Sequence, residues 1–113
     1  MNLLALILSS GGLIFLLAGY IQHRFPPKKI NHLYGYRTST SMKSQESWDF
    51  AQQYSAKKMM QMGTYITALG FLSWIIDLQL PWSVGIALTI VTIGPLIMLF
   101  KVESELKKRF PKK

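Results

Sequence analysis

Between Asn31 and Ser55 the chain reads NHLYGYRTSTSMKSQESWDFAQQYS, and its residues with binding chemistry are concentrated there. Tyr34, Tyr36, Trp48, Phe50 and Tyr54 surround Arg37, the only charged residue between Lys29 and Lys43. An arginine beside aromatic rings can stack on a ring face and donate several hydrogen bonds in one plane. That chemistry suits a lipid phosphate or a carboxylate on a partner, and equally an internal tie from Arg37 to Glu46 or Asp49. Thr38, Ser39, Thr40 and Ser41 offer hydroxyls that can cap helices or meet phosphate oxygens, capping being the commoner use. Lys43 adds a second cation. Gly35, set between two tyrosines, reads as a backbone device for positive φ or close packing. Trp48 reads as an interfacial anchor, as part of a loop core, or as a direct ligand contact.

Catalytic chemistry is sparse. There is no cysteine, hence no thiolate nucleophile and no thiolate metal site. His23 and His32 have no carboxylate close in sequence, which argues against a metal pair. No Gly-x-Ser-x-Gly elbow with a base is present. Asp77 is the one acid near an apolar block, and its place beside a turn favours a hydrated hairpin over an ion path. The chain is read as non-enzymatic, with no cofactor and no metal.

The elements that must position these residues are set by three uncharged blocks, Met1–His23, Met59–Ile76 and Leu78–Phe100. Only 16% of the 113 residues are charged, against about 25% in soluble domains. Crossing the hydrocarbon takes about 20 largely apolar residues, and the backbone there must satisfy itself as helix. The expected fold is all-α: one membrane domain over 1–113 with transmembrane helices at about 3–22, 58–77 and 82–100. The lysines at 57 and 58 can extend their amines to the interface, which lets the shorter middle block span. A cleaved signal peptide begins with basic residues and has a shorter apolar core; Met1-Asn2 has no basic side chain, so a retained first helix is favoured.

Of the 13 lysines and arginines, seven fall between Gln22 and Lys58, six between Lys101 and Lys113, and none in the hairpin 77–82. The positive-inside bias then places the loop at about 23–57 and the tail 101–113 in the cytoplasm, and the N-terminus and hairpin outside. The net charge of +8 suits anionic lipid headgroups at a membrane surface and needs no nucleic acid. Three helices cannot enclose a large lumen, so any transport would require a homo-oligomer.

Within the loop, Phe25-Pro26-Pro27 stops the first helix. Ser44 is suited to an N-cap, and Glu46 and Asp49 place negative charge in the first turns of a new helix. Trp48, Ala51 and Tyr54 share one face, as in an amphipathic helix lying on an interface or packing on a neighbour. Nothing from Ser44 to Met62 breaks a helix, so this segment either runs into the second span or bends near Lys57-Lys58. Gly63, Gly70, Gly85 and Gly94 are expected to allow close helix approach.

Asn31-x-x-Tyr34-Gly35-Tyr36-Arg37-Thr38, then Ser41-Met42-Lys43, then Trp48-x-x-Ala51-Gln52, resembles the signature loop of the SdpI-like membrane protein family. The chain looks like the signature module of that family without further helices before it. The resemblance implies a small integral membrane protein that protects a bacterial cell against a toxic peptide by binding. It also implies a cytoplasmic loop able to engage a regulatory protein. Tyr34, Gly35, Tyr36, Arg37, Thr38, Lys43 and Trp48 are the candidate partner-binding residues. The alternative is an accessory subunit of a membrane transporter or membrane enzyme complex.

Overall fold

The computed structural model describes residues 2–31, 33–76 and 81–110. It is all-helical among these residues. Helix α1 runs Leu3–Arg24, a 3-10 turn covers Ser41–Lys43, α2 runs Gln45–Ile76 and α3 runs Ser83–Arg109. All three α-helices are long and apolar enough to cross a membrane.

The segment after Ser44 proves continuous with the second span. Helix α2 has 32 residues, about 48 Å at 1.5 Å per residue, well beyond a hydrocarbon core of about 30 Å. Its first turns therefore project from the membrane as a rigid post, and these turns are the helix expected inside the loop. Ser44 and Ser47 cap its start reciprocally: Ser47 N donates to Ser44 Oγ at 3.1 Å and Ser44 N to Ser47 Oγ at 3.3 Å. Helix α3 likewise continues past Phe100 to Arg109. Pro81 lies in the turn before α3, with Trp82 at the N-cap. The hairpin residues 77–80, including Asp77, lie outside the described residues, as do His32 and the tail beyond Phe110.

Helices α1 and α2 pack antiparallel along a seam of small residues. A Cβ on Gly63 would fall 2.5 Å from Leu16 N, and one on Gly70 the same distance from Ser9 N. A Cβ on Gly19 would fall 2.9 Å from Ala56 O. Such backbone approach maximises van der Waals contact where apolar lipid gives helices little hydrophobic reason to associate. Gly12 and Gly19 supply the α1 side of this seam, a contribution the sequence reading overlooked. Gly85, expected to serve the same purpose, does not: a Cβ there would meet nothing within 4 Å. Among the described residues, no other helix comes within that distance of it.

Polar clamps hold the seam at both ends. Asn2 caps α1 by accepting from Ala5 N at 3.1 Å, and its amide donates to Ser73 O at 2.8 Å. At the other end, Gln22 Nε2 donates to Gln52 O at 3.0 Å and to Ser55 Oγ at 2.8 Å. Helix α3 joins this pair through two separate apolar clusters. Ala87 packs with Leu4, Leu8 and Ile66 inside the spans, whereas Val102 and Leu106 pack with Tyr36 and Ala51 beneath the loop.

Candidate functional site

The loop between α1 and α2 is folded onto the projecting turns of α2 and the end of α3. Trp48 is its central post. The indole is fully buried and its Nε1 donates to Pro27 O at 2.8 Å, so Trp48 serves the loop core instead of anchoring at an interface. One turn later, Gln52 is also buried. Its Oε1 accepts from Tyr36 N at 2.7 Å and its Nε2 donates to Tyr36 O at 2.8 Å. A side-chain amide thereby pairs both backbone groups of Tyr36, in a loop with no helix or sheet ladder to pair them.

Gly35 makes this approach possible. Its φ is +102°, and a Cβ there would fall 2.6 Å from Pro27 Cγ and also against the Gln52 amide. Both proposed reasons for the glycine, left-handed backbone and close packing, hold at once. Tyr34 faces back toward α1, its hydroxyl donating to Phe25 O at 2.7 Å. Its backbone N–H is held by Asn31 Oδ1 at 2.8 Å.

On the far side of the loop lies the carboxylate of Glu103 on α3. Tyr36 Oη donates to Glu103 Oε2 at 2.6 Å and Thr38 Oγ1 donates to the same oxygen at 2.7 Å. Burial, and next the carboxylate beside it, push the Tyr36 phenol well above its usual value. For Glu103, burial acts to raise the carboxyl. Hydrogen bonds from Tyr36, Thr38 and Thr40, with the nearby charge of Lys107, outweigh this and hold it below the usual carboxylate value. Glu103 is thus an ionised acceptor that ties the loop to α3.

The hydroxyl cluster mostly organises its own turn. Thr38 N donates to Ser41 Oγ at 2.9 Å and Ser41 N to Thr38 Oγ1 at 3.1 Å. The buried Ser41 hydroxyl also lies 3.1 Å from Tyr36 O. Lys43 Nζ donates to Phe110 O, at the C-terminal end of α3 where a cation is favoured. Arg37, between two residues that grip Glu103, is itself exposed.

The candidate residues therefore fall into two groups. Tyr34, Gly35, Tyr36, Thr38, Lys43 and Trp48 build the loop, while Arg37, which also makes contacts of its own, is exposed at its surface. Exposed apolar side chains lie in the same loop, with Phe25 66% and Leu33 91% accessible. Sequence reading missed Gln22, Gln52 and Glu103. Gln52 stands within the Trp-x-x-Ala-Gln motif and shares a helical face with Trp48, a signal available in the sequence. Glu103 is far along the chain from its partners and carried no such signal.

A family model described as the SdpI/YfhL protein family matches residues 28–99, which take in most of this loop, α2 and most of α3. The uncharacterized protein YfhL of Bacillus subtilis (strain 168) is 45% identical over 62 residues. That match covers 55% of this chain and 56% of the relative, so the chain spans a little over half the length of the relative it matches. No solved structure matches.

Proposed function

The chain belongs to the SdpI/YfhL protein family, and from that premise we propose that this multi-pass membrane protein acts by binding, not catalysis, and protects its membrane against a toxic peptide. The loop and the C-terminal end of α3 are assigned to the cytoplasm, in keeping with the basic residues gathered there and the absence of any in the hairpin. The observation that carries the reading is the docked loop. A tether between two spans needs only to be soluble, yet this one is held by the buried side chains of Trp48 and Gln52 and by the part-buried carboxylate of Glu103. Those contacts fix the backbone on both sides of Arg37 and present its guanidinium from a rigid base, as suits recognition of a carboxylate or phosphate. The same surface is available to a cytoplasmic regulatory protein.

The test is survival. A strain lacking the gene is challenged with secreted antimicrobial peptides and complemented with wild type or Arg37→Ala at equal membrane level. Protection by wild type and not by the variant supports the reading. Indifference of the deletion strain to every peptide would remove immunity as the function, and partner capture through the loop would then test the accessory-subunit alternative.

A further inference from the structure

Helices α2 and α3 pack through two apolar clusters and flank a cleft along one side of their contact. The cleft is an open groove of about 410 Å³. Its walls inside the span are mostly apolar, with Met62, Ile66, Ile90 and Ile97 among them beside Tyr65 and Thr89, and its rim on the loop side carries Lys58 and Lys101. No acidic side chain lines it among the described residues.

We infer that this groove binds one anionic phospholipid of the leaflet on the loop side, its phosphate held by Lys58 and Lys101 and one acyl chain laid between α2 and α3. Length supports this occupant. From Lys58 to Ile66 the α2 wall descends about 12 Å, and from Lys101 to Ile90 the α3 wall descends about 16 Å, at 1.5 Å per residue. One leaflet supplies about 15 Å of hydrocarbon, half of about 30 Å. The groove therefore has the depth of one acyl chain, with its charge where the headgroup lies. The two rim cations stand on different helices, so one phosphate between them would also bridge α2 and α3. Lys58 Nζ presently sits 5.3 Å above the Tyr54 ring, a contact compatible with a further anion. Gly94 keeps the groove open: a Cβ there would already lie 3.2 Å from Met62 Sδ and 3.4 Å from Ile66 Cδ1. The inference requires only that the chain be a membrane protein and is independent of the immunity reading.

The experiment is native mass spectrometry of the full chain in mild detergent, titrated with phosphatidylglycerol or phosphatidylcholine of identical acyl chains. Wild type is expected to hold one phosphatidylglycerol with a preference of about tenfold or more, since each base near a headgroup contributes on the order of a factor of five. Lys58→Gln with Lys101→Gln should erase that preference and leave the weaker, charge-independent binding. Gly94→Leu, which keeps both lysines and fills the groove, should weaken both lipids together. Lys28→Gln with Lys29→Gln, on the exposed loop, should change nothing. Equal binding of the two lipids by wild type would overturn the site, as would loss of preference in the Lys28/Lys29 variant, which would mark a diffuse basic surface. A dimer that Gly94→Leu dissociates would assign the groove to a second copy of the chain and equally overturn the lipid.

Discussion

Gln52 holds Tyr36 by both ends of its peptide backbone, accepting from N at 2.7 Å and donating to O at 2.8 Å. Because Gln52 belongs to α2, the loop's central residue is registered directly against a membrane helix. Gln22 of α1 approaches the same amide, with Nε2 3.5 Å from Gln52 Oε1. One buried amide thus connects both flanking helices with the loop.

Gln52→Leu should therefore release the loop while leaving the spans assembled. Tyr36 N would lose its acceptor, at a cost of about 1–3 kcal/mol for a buried group left unpaired, while Tyr36 O keeps the Ser41 hydroxyl. Hydrogen exchange on the detergent-solubilised protein should show the Tyr36 amide exchanging at least about tenfold faster, with the α1–α2 seam unchanged. Gln52→Glu separates the two bonds, because a carboxylate can still accept from Tyr36 N but cannot donate to Tyr36 O. An intermediate loss is expected. Unchanged protection in both variants would show that the amide is not what holds the loop.

Loop docking should also depend on pH at both extremes. Glu103 is held below its usual value, so its contribution is present above the unfolded carboxyl value of about 4.3 and is lost as pH falls through the folded value. Tyr36 is held above its usual value, so its contribution is full below about pH 10 and declines as pH rises beyond that. Trp48 emission, read in a background with Trp74 and Trp82 replaced by Phe, should be steady between about pH 5 and 9 and shift on either side. Glu103→Gln should flatten the acid arm and Tyr36→Phe the alkaline arm. An acid arm that survives in Glu103→Gln would point to another group.

The glycines should divide sharply. Gly63→Val places a side chain where Leu16 N already lies 2.5 Å from a Cβ position. Relief requires the helices to part, and overpacking of this kind costs about 1–3 kcal/mol or more. Gly85→Ala meets nothing within 4 Å and should raise stability by about 0.5–1 kcal/mol through helix propensity alone. Thermal unfolding in one detergent would rank the two against wild type, and equal behaviour would contradict the seam.

Which parts were legible in the sequence follows from the range of the forces involved. The spans were readable because hydrocarbon imposes a local rule on length and charge, and Pro26-Pro27 and Ser44 mark ends through their own backbone chemistry. The continuity of α2 stayed open because absence of a breaker permits a long helix without requiring one. Gly35 could be recognised as a backbone device from its own type, but its partners Pro27 and Gln52 come from the folded loop. Gly63 and Gly85 look alike in sequence, and only the position of neighbouring helices distinguishes them. Glu103 was hidden for the same reason. Its partners Tyr36 and Thr38 are 67 and 65 positions away, and a carboxylate in a tail rich in lysine and arginine reads as one more solvated charge.

The loop's builders and its presented residue can be separated by one pair of variants. Trp48→Ala removes a fully buried indole together with its bond to Pro27, and large-to-small changes of this size cost about 3–5 kcal/mol. Loop protection in hydrogen exchange should fall, and peptide resistance should fall with it, while the apolar spans keep the protein in the membrane. Arg37→Ala removes an exposed side chain that also makes contacts of its own, so loop protection is read beside resistance, and a recognising role shows as a loss of resistance larger than the loss of protection. If the guanidinium is the recognising group, resistance should be lost, and Arg37→Lys, which keeps the charge without the planar fork, should restore it only in part. Resistance retained in Arg37→Ala and lost in Trp48→Ala would move the recognising surface away from Arg37, to the exposed apolar residues Phe25 and Leu33 of the same loop.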